Sequence, residues 1–374
     1  MTKGNILYVR GSFAPINFKK YNVQEIGLGK AFCRLGYNFD FVYLTDKNAD
    51  EWHYVISGNR LRIIPIKGTR VFRTRLNCKI LDPKFLQKYD MVISAEYGQI
   101  MTYLLSTICK NLVLYSGPYY NLFKIAPFSY LYDFLFTKTI NTNCKAKFVK
   151  SPLAKKFLEE KGYTDIQSIG VGLDTEIFDN STPATIETQR IMQYMKEHPC
   201  LLYVGSFSKR KNFTFLLKVY EQALLKWPTL HFVMIGEGDY RYVKRSMKQI
   251  SDEARRGILQ IKSIENAQLK YIYPLSKAFI LPSKKEIFGM VLLEAMYLGA
   301  PVIASYNGGS STLIKGQDTG ITIDNFNIQA WVNAVEHILN NPDETKRMVF
   351  NAHNLISTKY CWSKLAEEMI KAIC

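Results

Sequence analysis

Short apolar runs alternate with stretches of helical periodicity along most of the chain. NILYVR (5–10) predicts a first strand. VQEIGLGKAFCRLG follows, with Val23, Ile26, Leu28, Phe32 and Leu35 at mostly helical spacing and Gly36 where a terminating glycine is expected. NFDFVYL, MVISA (91–95), NLVLYS (111–116) and AKFVKS (146–151) predict further strands. The polar segment DNSTPATIETQ (179–189), with Pro183, reads as a linker. Beyond it the rhythm restarts. CLLYVGS (200–206) is a strand, NFTFLLKVYEQALLKWP a helix, and LHFVMIGEG (230–238) a strand running into glycine. KAFILPS and APVIAS add two strands, and NAHNLISTKYCWSKLAEEMIKAIC reads as an amphipathic helical end. Strand–helix–strand alternation implies parallel sheets covered by helices on both faces. The expected fold is therefore α/β, with two doubly wound, Rossmann-like domains over residues 1–178 and 190–350. A terminal helix at 351–374 would return to the first domain. Ligands of such sheets sit at the carboxyl ends of the strands. The cleft between two such domains is the expected site.

Composition narrows the class. The 374 residues exceed one ordinary core, and 47% hydrophobic with 22% charged is a globular balance. Seven cysteines at irregular spacing, with no C-x-x-C, argue against a disulfide framework and a zinc cluster. The first residues, MTKGNILYVRGSF, lack a signal peptide's apolar run, and no window reaches about 18 uncharged apolar residues. A reducing cytoplasm is the expected location. The formal charge is +17, with a basic excess in both halves. The densest run, 58–80, carries Arg60, Arg62, Lys67, Arg70, Arg73, Arg75 and Lys79 with no acid, between Ile, Leu, Val and Phe. A solvated basic face and a peripheral contact with anionic membrane both fit that run. Nucleic acid is disfavoured, since no nucleic-acid motif accompanies the charge.

Candidate chemistry concentrates in KAFILPSKKEIFGMVLLEAMYLGAPVIASYNGG (277–309), a strand–loop–helix–strand unit with glycine at both loops. A helix predicted from about Phe288 to Leu298 would start near Gly289 with unpaired amides and the positive end of its dipole, which suits a phosphate. Gly308 and Gly309 would let backbone approach a ligand closely. Glu286 would stand in the loop and Glu294 about a turn into the helix. Carboxylates in those places could accept hydrogen bonds from vicinal hydroxyls of a ribose or a sugar. They could equally be a solvated loop acid and a surface or loop-holding helix acid.

The same unit resembles the donor-binding region of retaining glycosyltransferases of the GT-B fold, family 4 (glycosyl transferases group 1). That family's P-S-x-x-E-x-F-G, second Glu, G-x-P-V-x-A-S and Gly-Gly loop are matched by Pro282, Ser283, Glu286, Phe288, Gly289, Glu294, Gly299, Pro301, Val302, Ala304, Ser305, Gly308 and Gly309. YVGSFSKRKN (203–212) is similar to V-G-R-L-x-x-x-K-[GN], with Gly205 and Lys211 in place and Ser206 where the family has Arg. Arg210 or Lys209 could offset that loss, since serine cannot present a cationic fork. IGEG (235–238), with Gly236, and IGVGLDTEIF (169–178), with Asp174 and Phe178, match further segments. The likeness is clear from about 140 to 335 and faint before it. Only Gly11, followed by Ser12, stands where a Gly-Gly acceptor loop is usual, no histidine occupies the family's mid-domain place, and Thr312 replaces a usual Glu.

The resemblance implies transfer of a sugar from a nucleotide diphosphate donor, UDP- or GDP-linked, to a glycan or lipid-linked acceptor, in surface polysaccharide biosynthesis. It implies donor contacts by Gly205, Ser206, Arg210, Lys211, Gly236, Phe288, Gly289, Met290 and Glu294. Glu286 and Lys211 would be catalytic, and Gly11 and Ser12 would face the acceptor. With no D-x-D motif, no metal and no cofactor are expected. The aromatic stretch YYNLFKIAPFSYLYDFLF (119–136) could be core, or a lip for a lipid-linked or sugar acceptor. A sugar-nucleotide epimerase or phosphorylase on the same architecture is one rival. A catalytically silent member that binds a membrane or partner is another. A dehydrogenase is disfavoured, because no G-x-G-x-x-G follows the first strand.

Overall fold

A computed structural model describes residues 2–11, 23–46, 49–71, 74–123 and 126–373. Contacts divide the chain into two compact units, with the boundary at 172/173 and residues 361–373 belonging to the first unit.

The first unit carries β1 (Gly4–Arg10), β2 (Tyr37–Thr45), β3 (Trp52–Ile56) and β4 (Asn59–Lys67). A separate hairpin of β5 (Thr69–Val71) and β6 (Thr74–Leu76) follows, then β7 (Met91–Ala95), β8 (Leu112–Ser116), β9 (Ala146–Val149) and β10 (Ile166–Ser168). Sheet order is β10-β9-β8-β7-β1-β2-β4-β3, parallel except for β3 against β4. Strand interiors such as Ile6–Val9 and Val92–Ile93 are fully buried, as strands covered on both faces require. The helix Trp362–Lys371 packs on the helix Gln24–Arg34, burying Trp362, Leu365, Ala366 and Met369. The helix before it, Pro342–Lys359, stays with the second unit, so the helical end expected as one piece breaks at Tyr360–Cys361.

The basic run 58–80 is partly tied into the fold, while Arg60, Lys67, Arg70 and Lys79 are exposed. Leu61 and Ile63 are core residues of β4. Arg62 pairs with buried Asp40, with Nε 2.8 Å from Oδ1, and Arg60 adds to the same carboxylate at 3.6 Å. Arg75 pairs with Asp46 at 3.7 Å. Arg73 lies outside the described residues. These strands were hidden in the sequence by their charge density.

The second unit holds β11 (Cys200–Val204), β12 (His231–Ile235), β13 (Ile258–Ile261), β14 (Ala278–Leu281), β15 (Val302–Ser305) and β16 (Ile321–Ile323). The order is β13-β12-β11-β14-β15-β16, all parallel. Strand order reverses between β11 and β14, which opens a crevice at their carboxyl ends. The segment expected as a linker is bound to this unit. Thr182, Pro183 and Thr185 bond Tyr271 and Gln268 at 2.7–3.0 Å, and the helix Ile186–Glu197 starts inside it, capped by Thr185. Among the described residues no helix is long and apolar enough to cross a membrane.

Candidate functional site

The crevice is built from two loops at the reversal of strand order. After β11 the chain turns through Gly205 to Asn212, which opens the helix Phe213–Leu224. Phe207 fixes this loop. Its amide donates to the Glu237 carbonyl (2.9 Å), and its ring stacks on Phe213 at 4.6 Å. After β14, residues 282–289 lead into the helix Met290–Tyr297. The two loops are tied by the Lys284 amide donating to the Arg210 carbonyl at 2.9 Å.

Where the loops meet, two cations converge on one carboxylate. Lys211 Nζ and Arg210 Nη1 both reach Glu286 Oε2, the latter at 3.1 Å, and Arg210 also donates to the Lys285 carbonyl at 2.8 Å. The Lys211 and Glu286 side chains are only 9% and 12% exposed, so their attraction is weakly screened. One carboxylate against two cations leaves a positive surplus. The uncapped first turn of the helix Met290–Tyr297 adds amides and the positive dipole end. Lys284 and Lys285 stand in the same loop.

Gly289 enters that helix at φ +86°, where a side chain would be strained. Gly308 and Gly309 were expected to admit a ligand. Instead they admit this chain's own backbone. A Cβ on either would lie 1.9 or 1.8 Å from the carbonyl oxygen of Ile287 or Phe288. Their role is to seat the 286–288 loop. Phe288 is likewise core at 1% exposure.

A pocket of about 230 Å³ lies beside the ion cluster. Gly205, Ser206, Gly236, Met290 and Glu294 line it, with apolar walls from Val204, Ile235, Ile264 and Leu269. Lys211 adjoins it, with Cε 3.9 Å from where a Gly205 Cβ would sit. Apolar walls with a few placed polar groups suit a small organic ligand. Ser206 is exposed at the rim and brings no charge. Glu294 is 2% exposed. Asn266 Nδ2 donates to its Oε1 at 3.1 Å, and Tyr273 OH approaches Oε2 at 3.5 Å. Burial raises this carboxyl to about 7, only partly opposed by those two hydrogen bonds. It is not a surface helix acid. A buried carboxylate short of donors is poised to accept from hydroxyls that enter the pocket.

Sequence reading missed Asn266 and Tyr273. Both sit in short 3₁₀ turns (Asn266–Tyr271 and Tyr273–Leu275) with no periodic pattern to expose them. Gly11 belongs to the first unit. It is a buried packing position whose carbonyl accepts from Arg75 N (3.0 Å) and Thr74 Oγ1 (3.1 Å). Ser12 lies outside the described residues. Among the described residues no group of three or more His, Cys, Asp and Glu could hold a metal ion.

Residues 187–355 match the family described as Glycosyl transferases group 1. The chain is 27% identical over 176 residues to the alpha-D-kanosaminyltransferase of Streptomyces kanamyceticus, covering 47% of this chain and 45% of that protein. An uncharacterized glycosyltransferase of Methanocaldococcus jannaschii is 27% identical over 186 residues, 50% of this chain and 47% of its own. The chain thus spans about half the length of these curated relatives. Among solved structures, the sucrose-phosphate synthase of Thermosynechococcus elongatus superposes at TM-score 0.74 with 19% identity over 99% of this chain and 98% of its own. Anabaena HepE in complex with UDP superposes at 0.75 with 15% identity over 99% of each chain. The fold is therefore the expected GT-B fold, with a Rossmann-like sheet in each unit.

Proposed function

We propose, on the premise that residues 187–355 are a group 1 glycosyl transferase domain, that this protein transfers a sugar from a nucleoside diphosphate sugar with retention of anomeric configuration. One observation carries the reading. Lys211, Arg210 and the first turn of the helix Met290–Tyr297 surround a single carboxylate beside an apolar pocket whose floor holds buried Glu294.

The nucleoside occupies the pocket, with its ribose hydroxyls donating to Glu294. The diphosphate lies against Lys211, Arg210 and the helix amides. As the bond to the sugar breaks, negative charge grows on the leaving diphosphate, and these fixed positive groups stabilise it. The ion cluster takes the place of a metal in this scheme. Glu286 trades part of its hold on Lys211 for hydroxyls of the transferred sugar. HepE was solved with UDP, and a trehalose-6-phosphate enzyme of Escherichia coli, TM-score 0.75 and 9% identical, with UDP-2-fluoro glucose. Uridine diphosphate sugars are therefore the first donors to try, GDP-linked ones the second. The acceptor is a glycan or lipid-linked sugar, in the building of surface polysaccharide.

The test is release of nucleoside diphosphate from a panel of nucleotide sugars, with and without oligosaccharide and lipid-linked acceptors, reading the product anomer by NMR. Acceptor-dependent release with retained configuration supports the reading. Release of nucleotide with an altered free sugar, and no transfer, points to an epimerase.

A further inference from the structure

The helix Ala126–Asn143 in the first unit has two unlike faces. Its inner face packs on the core. Tyr132 and Ile140 are buried, Tyr132 OH donates to the Tyr97 carbonyl at 2.7 Å, and Phe136 packs on Tyr103 with ring centroids 4.4 Å apart. Its outer face is apolar and uncovered. Phe128, Tyr130, Leu131, Phe134 and Leu135 are all at least half exposed, Phe134 by 85%. At 3.6 residues per turn, positions 127, 131, 134, 135 and 138 share one side of the helix. Single exposed apolar residues are ordinary, but five within eight residues of one helix mark a contact surface.

Charge selects the occupant. Between Glu96 and Glu159 the chain holds eight lysines and one acid, Asp133, and that acid pairs with Lys161. Lys138 is exposed within the apolar stripe. Lys110 and Lys145 are exposed near its carboxyl end, where Asn143 Nδ2 donates to the Ser106 carbonyl at 2.9 Å. Residues 1–172 and 361–374 together hold 27 Lys and Arg against 14 Asp and Glu, +13 of the chain's +17. A second copy would bring two strongly cationic surfaces together. An anionic lipid surface takes both parts, with aromatic and aliphatic side chains entering the acyl boundary and lysines at the headgroups.

We infer that the outer face of the helix Ala126–Asn143 seats this protein on an anionic bilayer. The inference is independent of the donor chemistry proposed above. The test is flotation of the full chain with vesicles of mixed phosphatidylcholine and phosphatidylglycerol, against vesicles of phosphatidylcholine alone. Binding should be confined to the anionic vesicles and weaken as salt rises. The double variant Phe134→Ser/Leu135→Ser should bind about tenfold less or weaker still, with an unchanged circular dichroism spectrum. A second variant, Tyr130→Trp, reports on the helix itself, and its added emission should shift to the blue when anionic vesicles are present. Failure to float with anionic vesicles would overturn the inference. So would undiminished binding by the double variant, an added emission of Tyr130→Trp that vesicles leave unshifted, or a dimer in light scattering that the double variant abolishes without any vesicle binding.

Discussion

Glu294 should make nucleotide-sugar affinity depend on pH between about 6 and 8, where an ordinary surface acid, already ionised, would leave it flat. In the free protein burial holds its carboxyl at about 7, against an ordinary 4.5. That difference amounts to about 3 kcal/mol by which folding disfavours the charged form. A raised acid pKa means that the folded chain binds more protons than the unfolded one. Stability from this group is therefore undiminished below 4.5, falls as pH rises from 4.5 to 7, and stays low above 7. Two ribose hydroxyls donating to the carboxylate would favour the charged form and return the group toward its ordinary value. Binding then releases a proton, and affinity should be about tenfold weaker at pH 6 than at pH 8. The assay is titration calorimetry with a nucleotide sugar, whose diphosphate does not titrate in this range, in buffers of different ionisation enthalpy. Near pH 7 about half a proton should be released per ligand bound. Glu294→Gln should be flat in pH and release none. A wild-type affinity that does not change from pH 6 to 8, or one whose slope survives in Glu294→Gln, would refute the ribose role.

Glu286→Gln frees Lys211 and Arg210 from their shared carboxylate, so UDP or GDP affinity should rise while kcat falls about tenfold to a hundredfold; calorimetry with steady-state kinetics checks both. Ser206→Arg places a guanidinium at an exposed rim and should tighten nucleoside diphosphate binding by up to about 1 kcal/mol, with no gain for the nucleoside alone. Trp362→Ala removes the bulkiest buried side chain of the terminal helix. It should cost about 3–5 kcal/mol in urea unfolding and leave nucleotide affinity intact.

Much of the second unit could be read from the sequence, because a parallel strand buried on both faces is a continuous apolar run. CLLYV, HFVMI, AFIL and VIAS have little competing with that signal. Strand β4 was not legible, since Arg60 and Arg62 interrupt the pattern and the acid that explains them, Asp40, is about twenty residues away. Glu286 and Lys211 were each singled out from their motifs, but their shared ion pair across 75 residues could not be, for it depends on the register of two loops. Glu294's burial was hidden for a similar reason. The groups that enclose it, Asn266 and Tyr273, come from turns without periodicity. Gly308 and Gly309 show only that some backbone must come close, and the sequence does not say whether it is a ligand's or, as here, the chain's own.

The most direct measurement is a thermal-shift panel with UDP, GDP, ADP, CMP and NAD on the whole protein and on Lys211→Ala. A ligand at a hundred times its Kd adds about 2.7 kcal/mol of stability. One nucleoside diphosphate should raise the wild-type transition and do much less for Lys211→Ala, since Lys211 is the buried cation of the cluster. No shift with any of them, or a shift that Lys211→Ala keeps in full, would contradict a donor site built from Lys211, Glu286 and Glu294.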